Sequence, residues 1–173
     1  MNDAYKDYSY LIDLLAKGDV ALLEEAENII DDFPKGIDSF IQRHWITNAI
    51  DCGSIESVKW ILSRKVDLSF RNDEGYTPIL SAINRELSDK HEIIQLLIEN
   101  GAPINKKGIN DWTPLHMAAV CEDIEAMKIL VANGADLTIR TEIDDCATPL
   151  EEAEMLNKQK SVEYLLHITR QGC

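Results

Sequence analysis

The sequence predicts an all-α repeat solenoid, a stack of helix-turn-helix units joined by short hairpin loops, and three observations predict it. The pair Thr-Pro stands at Thr77-Pro78, Thr113-Pro114 and Thr148-Pro149, a spacing of roughly 35 residues that marks an internal repeat. Asn-Gly-Ala stands at 100–102 and again at 133–135, about 33 residues apart. Between the two cues lie two apolar segments of helical period. In the clearest copy these are Pro114 to Val120, with the small residues Ala118 and Ala119 on one face, and Ile124 to Val131. The Thr hydroxyl accepts an unpaired amide of the first turn, and Pro fits the first helical position because no donor is needed there. Gly134, like Gly101, ends its helix because it enters the left-handed region without steric cost.

Taken in order, residues 4–36 predict a helix pair, Tyr5 to Lys17 and Val20 to Asp31, broken at Gly18-Asp19 and ended near Pro34-Lys35-Gly36. No Thr-Pro occurs here. A terminal unit must meet water on one side, so a degenerate N-terminal cap is expected, and its many acids read as a solvated face. Residues 37–71 form a first repeat whose second half, Gly53 to Leu62, is regular, whereas His44-Trp45-Ile46 replaces Thr-Pro-Leu. Trp45 and Trp60 fall at core-like helical positions and are expected to pack on the cap. Residues 72–107 form the second repeat, in which Gly75 permits the hairpin turn. Thr77 and Gly101 lie three residues further apart than Thr113 and Gly134, and the surplus falls in Arg85-Glu86-Leu87-Ser88-Asp89-Lys90. Such an insertion becomes a protruding loop, suited to contact or simply tolerated. Residues 108–142 are the best-formed repeat. Residues 143–168 close the stack with Thr148-Pro149-Leu150, Glu151 in place of the usual His, a longer approach to the hairpin, and a polar outer helix from Ser161 to Ile168.

The sequence Thr113-Pro114-Leu115-His116-Met117-Ala118 at this period resembles the ankyrin-repeat family, and the resemblance spans most of residues 1–173 as one domain. It implies a protein that binds another protein through its hairpin tips and the exposed ends of its first helices. Carried over position by position, it implies Asp73, Glu74, Tyr76, Asn84 and Arg85 from the second repeat as contact residues. From the third it implies Ile109, Asn110, Trp112, Val120 and Cys121, and from the fourth Asp144 and Asp145. Arg43, Asp51 and Arg71 are the corresponding residues of the divergent first repeat. Tyr76 and Trp112 each precede the Thr of a Thr-Pro, so they are expected side by side as aromatic anchors ringed by acids.

The net charge is −14. That argues against sequence-independent nucleic-acid binding and against anionic membrane surfaces, and favours a protein partner with a basic surface. The opening Met1-Asn2-Asp3-Ala4-Tyr5 lacks a cationic and apolar signal pattern, and no stretch approaches the roughly 20 apolar residues of a membrane span. Cys52, Cys121, Cys146 and Cys173 show no close pairing, which suits reduced thiols and a cytoplasmic protein. The free chain is expected to be monomeric. Cys52 and Cys121 are expected two repeats apart, beyond disulfide reach.

No catalytic, cofactor or metal motif is present: there is no Walker A loop, Gly-rich dinucleotide loop, H-E-x-x-H or C-x-x-C. His116 is expected to satisfy hydrogen bonds at its helix start, and Glu151-Glu152 and Asp144-Asp145 read as solvated acids. An enzyme is not expected. The residues and the resemblance together point to a small acidic binding module, either an immunity protein or antitoxin of bacterial type that neutralises a cognate toxin, or a scaffold or regulatory subunit of a host enzyme or transcription complex.

Overall fold

The computed structural model describes residues 3–143 and 146–171, and within them the chain is a stack of five helix pairs. In chain order the helices are α1 (Asp3–Lys17), α2 (Val20–Glu27), α3 (Trp45–Cys52), α4 (Ile55–Ser63), α5 (Pro78–Asn84), α6 (Lys90–Glu99), α7 (Pro114–Val120), α8 (Ile124–Ala132), α9 (Pro149–Met155) and α10 (Gln159–Gln171). Helices α1, α3, α5, α7 and α9 pack in one row and α2, α4, α6, α8 and α10 in a second, each pair bridging the rows. The core runs the length of the stack, from Leu11 and Leu15 through Ile50, Leu80 and Leu115 to Leu165.

Local chemistry sets the helix ends. Thr77, Thr113 and Thr148 are extended N-caps that accept amides from Leu80, His116 and Glu151, with Pro in the first turn each time. Gly101 and Gly134 hold φ of +88° and +90°, and a methyl added at either would meet nothing within 4 Å, so the backbone angle alone reserves these positions for glycine. Ser57 Oγ donates to Leu15 O and Ser161 Oγ to Ala119 O, both at 2.7 Å, tying each outer helix to the inner helix of the pair before it.

The cap ends sooner than its periodicity suggests. Helix α2 stops at Glu27 rather than Asp31, because the Asn28 side chain turns back to donate to Glu24 O at 2.8 Å. The chain then reverses, with Asp32 at φ +62°. This lets Phe33 swing inward, where its ring meets Trp45 edge-on at 5.3 Å and stacks on Trp60 at 5.6 Å. Both tryptophans are core residues packed on the cap. The last helix is longer than expected, running from Gln159 to Gln171.

The divergent front of the first repeat has its own organiser. Asp38, 1% exposed, accepts amides from Phe40, Ile41 and Arg43 at 3.0, 2.6 and 2.9 Å and the Asn48 side chain at 3.2 Å. One carboxylate therefore folds the hairpin that Thr-Pro would otherwise introduce.

Candidate partner-binding groove

Each hairpin comes back to its first helix at the same register, so three short rows of side chains repeat along the inner face. The residue before each Thr position contributes Arg43, Tyr76 and Trp112 in turn. The seventh position after it contributes Asp51, Asn84, Val120 and Met155, and the eighth Cys52, Arg85, Cys121 and Leu156. Two of the clefts among the described residues lie between hairpins and helix ends.

The first cleft, of about 460 Å³, lies between the first two repeats, with Arg43, Glu74 and Tyr76 on the hairpin side and Asp51, Ser81 and Asn84 on the helices. Arg85, Glu86 and Leu87 close one end of it. The second, of about 630 Å³, lies between the last two, where Asn110, Trp112, Thr141 and Ile143 face Glu152, Met155 and Leu156. Tyr76 and Trp112 thus line different clefts. Both are half-buried, with their rings packed against the core, so each serves the hairpin as well as the surface.

Asp73, Glu74, Asn84, Asn110 and Cys121 are exposed, as are Asp51 and Arg71, while Ile109 and Val120 are half-buried. Arg43 pairs with Asp51 and is half-buried. Asp144 and Asp145 lie outside the described residues.

Arg85 is the correction. Its position at the end of α5 predicted an exposed contact, yet its side chain is 1% exposed. The guanidinium donates to Ile50 O and, at 2.8 Å, to Gly53 O, and forms a fork on Asp89 at 2.8 and 2.9 Å. Ile50 O is one of the last carbonyls of α3, which have no partner inside that helix, and the negative end of the helix dipole favours a cation there. Arg85 therefore caps α3 from the following repeat. Its ion pair with Asp89 anchors both ends of the inserted loop, leaving Glu86, Leu87 and Ser88 exposed on the rim. The Arg85 fork also holds the Asp89 carboxyl below its ordinary range.

His116 is wholly buried and has a structural place. Its Nδ1 accepts the Thr113 amide at 3.2 Å, so Nε2 carries the proton and donates to Ala147 O, 3.1 Å away in the next hairpin. Burial pushes its pKa down, which keeps the ring neutral. Glu151 does the same capping in the last repeat. It accepts the Thr148 amide at 2.8 Å and pairs with Arg140, and these bonds lower its carboxyl to about 2. Burial raises the thiols of Cys52 and Cys121 above their ordinary value, which disfavours the nucleophilic thiolate. Among the described residues no group of three or more His, Cys, Asp or Glu could hold a metal ion, and no helix is long and apolar enough to cross a membrane.

Met155 and Leu156 were missed by the sequence reading. They occupy the same two positions as Val120 and Cys121, so the rule that selected the third repeat, applied to the fourth, finds them.

Residues 46–141, more than half of the chain, match the family model described as ankyrin repeats in three copies. The chain belongs to the ankyrin-repeat family. Among the curated relatives, the mouse RelA-associated inhibitor is 33% identical over 102 residues, 59% of this chain and 12% of that protein. The mouse protein phosphatase 1 regulatory subunit 12A is 32% identical over 128 residues, 72% of this chain and 11% of the relative. The human BCL-6 corepressor-like protein 1 is 29% identical over 92 residues, 53% of this chain and 5% of the relative. This ankyrin chain therefore spans a small fraction of each of these relatives.

Proposed function

We propose that the chain is a non-catalytic protein-binding module that acts as a scaffold or regulatory component, engaging its partner through the groove between hairpins and inner helix ends. The observation that carries this reading is the apolar surface left at the second cleft: Ile143 of the hairpin and Met155 and Leu156 at the end of α9 are 48%, 46% and 44% exposed around Trp112. Exposed apolar patches rimmed by polar groups mark interaction sites. Asn110 lines the same cleft and Asn84 the first one, Val120 and Cys121 hold the matching register positions between them, and the acids Asp73, Glu74, Asp144 and Asp145 favour a basic partner. The names of the relatives, an inhibitor, a regulatory subunit and a corepressor-like protein, support regulation. They lend nothing to the immunity-protein or antitoxin reading, which rested on acidity and small size. The repeat boundaries at 37–71, 72–107, 108–142 and 143–168 and residence in the cytoplasm belong to this reading as well.

Tyr76 and Trp112 are poor probes because truncating either also removes core packing. Exposed positions serve better. Affinity purification from the source cell with Asn84→Arg/Leu156→Glu as bait is expected to lose the partners of the native chain by about thirtyfold or more, since groove anchors contribute about 2 kcal/mol or more. Lys128→Ala, on the exposed side of α8, is expected to retain them. Equal recovery with a folded groove variant overturns the reading.

A further inference from the structure

We propose that the groove is bipartite and selects an extended segment of a partner protein carrying a lysine or arginine and, five or six residues away, a large apolar side chain. This rests on the groove reading above and adds what each half of the groove accepts.

The two clefts differ in chemistry because the repeats filling them differ at equivalent positions. At the first cleft the row supplies Asp51 and Asn84, and at the second it supplies Met155. The formal charges of the first cleft largely cancel. Arg43 is paired with Asp51, and Arg85 is spent on Asp89 and the end of α3. Glu74 and Glu86 remain, exposed and in no salt bridge among the described residues. The uncommitted charge of this cleft is therefore negative. Beside it stand two apolar walls, the Tyr76 ring and Leu87, which is 52% exposed on the anchored loop. A cationic side chain fits that combination, its methylene stem lying along apolar surface while its head stays near carboxylates and water. Asn84 and Ser81 add neutral hydrogen-bonding groups. The second cleft sets Trp112, Ile143, Met155 and Leu156 beside the polar Asn110, Thr141 and Glu152, and its four large apolar members give a bulky apolar side chain an adaptable wall in which methionine conforms to shape.

Their separation sets the spacing. The first cleft lies between repeats one and two and the second between repeats three and four, two helix spacings along the row. Packed helices lie 8–10 Å apart, so the clefts are about 16 to 20 Å apart. An extended chain advances about 3.3 Å per residue, which makes that five or six residues. The insertion matters to this selectivity, because the buried Arg85 bonds hold Glu86 and Leu87 at the rim.

The test is selection from a random twelve-residue peptide library displayed on phage, with the full chain immobilised, followed by calorimetry of synthetic winners at two salt concentrations. Enriched sequences are expected to pair a basic and a large apolar residue five or six positions apart. Glu74→Lys/Glu86→Lys is expected to weaken them at least tenfold and to turn reselection toward acidic residues, and Met155→Asp to weaken them tenfold through the other end. Circular dichroism of each variant checks that it remains folded. Winners without a basic residue, or winners lost on Met155→Asp but unaffected by Glu74→Lys/Glu86→Lys, overturn the bipartite proposal and leave the groove reading standing. Winners indifferent to both sets bind elsewhere and overturn both. A library that yields no binder overturns the extended-segment class while a folded partner on the groove survives.

Discussion

Replacing Arg85 by methionine keeps most of its volume and removes all of its donors. The change strips a hydrogen-bonded cation from Ile50 O and Gly53 O and leaves Asp89 without its fork. A bond from a charged donor contributes about 1.5–3 kcal/mol, but Asp89 regains water. Its side chain is 26% exposed, so only the two carbonyl bonds count fully. The expected loss is about 3 kcal/mol. For a domain of this size 1 kcal/mol corresponds to about 2–4 °C, so the melting temperature should fall by roughly 6 to 12 °C. Because stability in a stack is carried by neighbouring interfaces, the loss should be concentrated where α3 meets α5, with faster amide exchange there and across 85–89. Thermal melts followed by circular dichroism, combined with hydrogen exchange, read both quantities. Arg85→Lys, which keeps charge but not the fork, should recover only part of the loss. A drop of under 1 kcal/mol, or unchanged exchange in the inserted loop, would refute the capping role.

Burial lowers the pKa of both His44 and His116, so the unfolded chain binds more protons than the folded one below the ordinary histidine value. Their contribution is fully present above about pH 6.5 and is lost as pH falls through the lowered folded values. Urea titrations at pH 7.5 and 5.5 should therefore show weaker folding at the lower pH, with a smaller difference in His116→Gln. An equal difference in that variant contradicts the neutral, buried ring. Gly134→Val should cost about 1 to 2 kcal/mol from backbone strain alone, since space for the side chain exists. An unchanged melt would mean the left-handed stop is not required. Deleting residues 1–36 removes Phe33 and the leucines of α1, and should shift the emission of Trp45 and Trp60 to the red and promote aggregation or local unfolding. Unchanged emission and a monomeric, equally stable product would show that the segment is not a cap.

The sequence by itself determined the parts of this protein whose physics is local. A Thr hydroxyl and a Pro ring act within one turn, and a positive φ at Gly101 or Gly134 is a property of one residue. Helix starts, helix stops, the roughly 35-residue cadence and the core positions of Trp45 and Trp60 were therefore legible, and with them the fold class and the binding character it implies. Tertiary structure decided everything whose partner lies a repeat or more away. Arg85 has the sequence position of an exposed groove residue. It is buried because the carbonyls at the end of α3, more than 30 residues earlier, lack donors, and no local pattern announces that. Tyr76 and Trp112 share a register and still fall in separate clefts, because stacking sets which hairpin faces which helix end. The same stacking brings Met155 and Leu156 beside Trp112 and leaves Glu74 and Glu86 as the uncommitted charges of the other cleft. Which groups are spent inside the fold and which remain for a partner is settled only when every repeat has met its neighbours.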